Sequence, residues 1–118
     1  MSIPGCLVKL NEEAVERMMS VLPVGRDNAV TMAKLQSRMG FRRQRTAETA
    51  RALVKYAIED HQRLICTGNV GVWEPITVGE VHDYIRSLQV RIMGIEKRVT
   101  ALNEALIIRA GNLADQEQ

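Results

Sequence analysis

Residues Gly40–Ala57, GFRRQRTAETARALVKYA, are the stretch whose reading decides the rest of the chain. From Thr46 onward they read as a helix. Its apolar or small positions, Thr46, Ala50, Leu53, Val54, Ala57 and Ile58, follow the i, i+4, i+7, i+8 pattern of one buried face. Arg42, Arg43 and Arg45 then crowd the start of that helix. The helix macrodipole already places partial positive charge there, and chains usually put Asp or Glu in the first turn. Three arginines at this end are acceptable if an anion meets them. The face opposite the apolar one carries Arg43, Ala47, Arg51 and Lys55, with Gln44 and Glu48 beside them. The basic residues therefore line the side that the core does not use.

Charge along the chain points the same way. Net charge is only +2, yet Lys34 to Lys55 contains seven Lys and Arg residues against Glu48 alone. A basic block in an otherwise acidic chain predicts a polyanion-binding face rather than a generally adhesive surface. With 118 residues, the chain is expected to form one domain with an appended element. One Trp, one Phe and two Tyr leave an aliphatic core. Cys6 and Cys66 are far apart and form no C-x-x-C unit, which suits a reducing compartment. The N-terminal residues are too few and too weakly apolar for a signal peptide, and no segment reaches the ~20 apolar residues of a membrane span. The expected location is cytoplasmic.

Working outward, residues 1–10 form an irregular arm broken by Pro4 and Gly5. Asn11 offers an N-cap with Glu12 and Glu13 in the first turn, and Leu10 and Val15 are spaced for a hydrophobic staple. Val15, Met18, Met19 and Leu22 make the apolar stripe of this first helix, which Pro23 ends. "VGRDN" reads as a turn and "AVT" as extended. Thr31 then caps a short second helix with Met32, Leu35 and Met39 inward and Gly40 just past its end. After the basic helix, "LICT" and "VGVW" are β-type runs joined through Gly68-Asn69, and Pro75 closes this hairpin.

The remainder reads as one long helix opened by a Thr77–Glu80 capping box. Val81, Ile85, Leu88, Ile92, Ile95, Val99, Leu102 and Leu106 follow at alternating intervals of 4 and 3. In heptad terms Ile85, Ile92, Val99 and Leu106 are a positions, and Val81, Leu88, Ile95 and Leu102 are d positions. A helix from Val78 to Ala110 spans roughly 50 Å, longer than a small domain needs. Strict 3.5-residue periodicity predicts a coiled-coil seam and a homodimer through these eight residues. β-Branched a positions, and Arg91 at g with Glu96 at the next e, favour parallel strands. Antiparallel pairing and a tetramer stay open at this level. Residues 111–118 are expected to be a disordered tail.

Helix, extended piece, helix, tight turn, basic helix and hairpin is the order of a winged helix-turn-helix. Val30 to Trp73 resembles the small winged helix-turn-helix proteins common in bacteria, phages and prophages. The Gly40-Phe41 pair matches the Gly-apolar end of their second helix. Leu64 to Gly71 matches their apolar-Ile/Val-Cys/Ser-x-Gly-x-x-Gly wing. The likeness covers residues 11–75. It implies a fold that is mainly α with a small β-hairpin wing, plus the long C-terminal helix, and it implies binding of double-stranded DNA. The domains expected are the arm (1–10), a winged helix-turn-helix (11–76), a dimerisation helix (77–110) and the tail (111–118). The chain departs from the pattern in three places: Arg42 stands where a Ser or Thr cap is usual, the wing "TGNVG" lacks Lys and Arg, and Ala47 and Thr49 are small.

On this reading Arg42, Arg43 and Arg45 meet guanine edges or phosphates, and Gln44 reads adenine. Lys34 and Arg38 meet the backbone from the preceding helix, while Arg51 and Lys55 flank the groove. Ala47 and Glu48 share that face. Thr67 and Asn69 at the wing tip either donate to phosphate or serve only the turn. His61, Cys66 and His82, at intervals of 5 and 16, match no usual zinc spacing. No phosphate loop, H-E-x-x-H or G-x-S-x-G occurs. The expectation is a non-enzyme with no metal or cofactor. It would be a dimeric, sequence-specific regulator of bacterial or phage type that acts by occupying a promoter or operator. The alternative is a phage-encoded adaptor or inhibitor that docks the basic face on a nucleic-acid-handling protein, or a replication or packaging accessory with weak DNA specificity.

Overall fold

The computed structural model describes residues 5–116, with side chains described for residues 5–110. The first four residues of the arm and the last two of the tail lie outside the described residues. α1 (Glu12–Val21) starts where Asn11 caps it: the Asn11 side-chain oxygen accepts from the Ala14 N–H at 2.8 Å. It ends at Leu22, which the following Pro23 steers to an extended conformation. Val15, Met18 and Leu22 are buried, and Met19 half-buried. "VGRDN" contains one 3-10 turn, Arg26–Asn28.

α2 (Met32–Arg38) is capped by Thr31, whose hydroxyl oxygen accepts from the Lys34 N–H at 3.1 Å. Its end is a pair of reversed bonds, Gly40 N–H to Ser37 C=O at 2.9 Å and Phe41 N–H to Gln36 C=O at 3.2 Å. This closure needs a left-handed residue at position 40, and Gly40 has φ +83.

α3 (Glu48–His61) corrects the expectation from the sequence. The helix begins at Glu48, not Thr46, because Ala47 is left-handed at φ 51 and ψ 47. Arg42 to Thr46 therefore lie on the connection ahead of the helix and not in its first turn. The core face is Thr49, Ala50, Leu53, Val54 and Ala57; Thr46 is exposed.

β1 (Cys66–Gly68) and β2 (Gly71–Trp73) pair antiparallel, with Cys66 opposite Trp73 and Gly68 opposite Gly71. The loop is Asn69-Val70, one residue later than the Gly68-Asn69 turn expected. On its other edge β2 meets the segment before α2: Val72 N–H donates to Val30 C=O at 2.7 Å, and Val30 N–H to Val72 C=O at 3.2 Å. Residues on α1, α2, α3, β2 and the Val30 segment make one aliphatic core, including Met18, Leu35, Leu53, Ala57 and Val72.

α4 (Val78–Gln116) opens with Thr77 Oγ1 accepting from the Glu80 N–H at 3.2 Å. The Glu80 carboxylate reaches back to the Ile76 N–H at 2.7 Å, one residue before the Thr77 amide that a capping box engages. The helix continues past Ala110 to Gln116. The chain divides into two compact units, one up to His82 and one from Asp83 onward. Among the described residues no helix is long and apolar enough to cross a membrane.

Gly71 is the point at which hairpin and core meet most closely. Its φ is +119, and a Cβ there would lie 2.2 Å from the Val30 carbonyl oxygen. Gly71→Ala is expected to lower unfolding free energy by at least about 2 kcal/mol in a urea titration, because backbone strain and a backbone clash coincide.

Candidate nucleic-acid interface

Met32, Leu35, Gln36 and Met39 share one face of α2, so Gln36 sits in a core position and is 2 % exposed. A buried amide must find partners, and all of those found here hold the connection to α3. Gln36 Nε2 donates to Arg42 C=O at 2.7 Å and to Gln44 Oε1 at 2.8 Å, while Gln36 Oε1 accepts from the Ala50 N–H at 3.1 Å. Gln44 Oε1 also accepts from the Thr49 N–H at 3.0 Å and the Thr49 hydroxyl at 2.7 Å. The two glutamines thus satisfy the second and third N–H groups of α3. Left-handed Ala47 provides no side-chain cap of its own. Thr49, fully buried, accepts from the Leu7 N–H at 2.9 Å, and Gln44 Nε2 donates to Gly5 C=O. The arm is tied to the same point.

This network corrects two candidate roles. Gln44, expected to read adenine, is half-buried, with its oxygen taken by Gln36 and Thr49 and its nitrogen donating to Gly5 C=O. Ala47, expected on the outer face, is 3 % exposed and belongs to the core. Two residues of the network, Gln36 and Thr49, are not among the sequence candidates. The signal for Gln36 is a polar residue at the i+4 position of the α2 apolar stripe. The signal for Thr49 is its spacing, four residues before Leu53 and eight before Ala57 on the apolar face of α3.

The cations divide into two groups. Arg17 donates to Met39 C=O at 2.5 Å and lies 4.7 Å above the Phe41 ring. Arg51 Nε donates to Thr46 C=O at 2.5 Å, Arg38 makes a long contact of 3.4 Å with Val21 C=O, and Arg63 pairs with Glu16. These side chains have structural bonds. Lys34, Arg42, Arg43 and Lys55 are exposed, and none has a side-chain hydrogen bond or ion pair among the described residues. Lys34 and Arg43, together with Ser37 and Phe41, line a hollow of about 390 Å³ between α2 and the connection. Exposed Arg45 lies near Glu48 and favours its charge.

Glu48, the one acid of the basic block, turns to Thr46 and accepts from its hydroxyl and, at 3.0 Å, from its N–H. Those two bonds, more than Arg45, hold the Glu48 carboxyl below the usual carboxylate range. In the hairpin Thr67 is half-buried opposite Val72, and Asn69 is exposed in the loop. Cys66 is buried, and burial pushes its thiol pKa up. His61 stands edge-on to Tyr56 at 4.8 Å. Among the described residues no three His, Cys, Asp or Glu side chains gather as a metal set would require. Of the heptad positions, Val81 and Leu88 are half-buried, and Ile85, Ile92, Ile95, Val99, Leu102 and Leu106 are exposed. Compared with known protein families, curated proteins and solved structures, the chain finds no match.

Gln44→Ala leaves the Thr49 N–H and one Gln36 donor without partners. It is expected to cost about 1–3 kcal/mol and to speed amide exchange at Thr49 and Ala50 well before global unfolding. Thr46→Val is expected to raise the Glu48 midpoint in a carboxyl NMR titration. Because the folded pKa is depressed, stability linked to Glu48 is present above the ordinary carboxylate pKa. It is lost as pH falls through the lowered folded value, and the substitution reduces that loss, since the residue-46 N–H and Arg45 still favour the charged form.

Proposed function

We propose that residues 11–76 act as a winged helix-turn-helix that binds double-stranded DNA, and that the protein is a small transcriptional regulator that acts by occupying its site. The observation that carries this reading is the set of exposed, internally unpartnered cations Lys34 on α2 and Arg42 and Arg43 on the α2–α3 connection, with Lys55 further along α3. Each costs little in water, but together they form a positive field that the protein itself does not neutralise. Helix order supports the reading, and so does the short sheet that Val30 adds to the hairpin.

With Ala47 buried and the Gln44 amide bonded to Gln36, Thr49 and Gly5, base contacts fall to Arg42, Arg43 and Arg45. Arginine forks suit guanine edges and phosphates alike, so a large share of affinity would be electrostatic. The hairpin loop between Gly68 and Gly71 offers Asn69 and Val70, neither of them charged. That neutrality favours, as a second reading, a protein partner with an acidic surface.

In a fluorescence-anisotropy titration with short random-sequence duplex at low and moderate salt, binding is expected to weaken steeply as salt rises. Arg43→Ala and Arg42→Ala are each expected to weaken it several-fold and to reduce the salt slope by about one. Arg63→Ala, which removes a cation already paired with Glu16, should leave the slope unchanged. Absence of binding at low salt would sink the DNA reading and leave the acidic protein surface.

A further inference from the structure

From Asp83 to Gln116 the second compact unit is a single helix. A lone helix has no second layer on which to bury an apolar stripe, yet this one carries a stripe of heptad spacing along most of its length. Ile92 and Ile95 are each 53 % exposed, Val99 51 %, Leu102 63 % and Leu106 57 %. Side chains of this kind in regular a and d positions are matched by an identical stripe on a second helix.

We propose that α4 pairs with α4 of a second copy of this chain as a parallel, in-register, two-stranded coiled coil. The flanking charges select this orientation. The g positions are Tyr84, Arg91, Arg98 and Ala105, and the e positions are Gln89, Glu96, Asn103 and Ala110. In a parallel pair g faces the next e of the second copy, which sets Arg91 beside Glu96 on both sides of the dimer. In an antiparallel pair g faces g. Full overlap of the two stripes then sets Arg91 beside Arg98 twice. Sliding by one heptad in either direction brings Arg91 or Arg98 against its own copy.

Strand number follows from the same positions. Three of the four a positions, Ile85, Ile92 and Val99, are β-branched, with Leu106 the fourth; d holds Leu88 and Leu102 beside Val81 and Ile95. Five of the named e and g residues, which carry charged or amide groups, decide the number. Two strands leave those groups in water, whereas a four-stranded bundle would press them inward. Gly94 at c lies off the seam, with nothing near the position of a Cβ. Pairing of α4 requires nothing of the basic face, so it stands or falls separately from DNA binding.

The test is the dimer dissociation constant of the full chain by sedimentation equilibrium, with helix content followed by circular dichroism. Wild type should sediment at twice the 13.2 kDa chain mass. Neither Arg91 nor Glu96 has a charged neighbour three or four residues away on its own helix, so the charge change acts across the interface. Arg91→Glu should weaken the dimer about five- to tenfold, and adding Glu96→Arg should restore it. An antiparallel pair predicts the opposite sign for Arg91→Glu, a tighter dimer, because the introduced carboxylate would face Arg98 of the second copy. That tightening, an unchanged constant, or a wild-type monomer or tetramer would overturn the proposal.

Discussion

The carboxamide of Gln36 holds together the part of this protein that meets the outside. It is buried in the layer between α2 and α3, where an unpaired amide would cost several times what a hydrogen bond returns. Its requirements therefore shape the chain around it. One side of the amide takes the third N–H of α3 while Gln44 takes the second, and the other fixes the Arg42 carbonyl and the Gln44 oxygen. A helix whose N-cap residue is an alanine is capped by glutamines from elsewhere, and the segment before it is held in a defined non-helical path.

That path explains how three arginines coexist with a helix N-terminus. They do not sit in the first turn, and the one that lies near it, Arg45, stands beside the Glu48 carboxylate. Glu48 occupies the first helical position, where a negative charge is favourable, and Thr46 holds it there. Arg42 and Arg43 extend from the connection with no internal partners. Arg17, Arg38, Arg51 and Arg63, by contrast, bind carbonyl or carboxylate oxygens of the protein itself. The basic surface is thus smaller than a count of Lys and Arg implies. Its polar neighbours Gln44 and Thr49 are bonded to one another and to the arm.

The two compact units illustrate different sources of order. Up to His82, helices and hairpin share one aliphatic core, and close backbone contacts such as that of Gly71 with Val30 fix their arrangement. From Asp83 onward helical order is local, and the apolar stripe has no counterpart in the unit to which it belongs. Within that unit the helix has no second layer on which to bury its apolar residues.

Local patterns determined much of this architecture. The caps at Asn11, Thr31 and Thr77, the stop at Gly40-Phe41, the hairpin after the basic helix and the heptad stripe all depend on residues within a turn or two of one another. Their chemistry is readable in order along the chain. Tertiary structure decided what such windows cannot contain. Helical periodicity extended through Ala47 places it on the outer face; its left-handed backbone breaks that periodicity and turns it inward. Gln44 reads as a free polar group until Gln36 from α2 and Gly5 and Leu7 from the arm are brought around it and Thr49. A side chain's freedom to bind a ligand is set by which distant groups also need it, and only the folded chain brings those groups together.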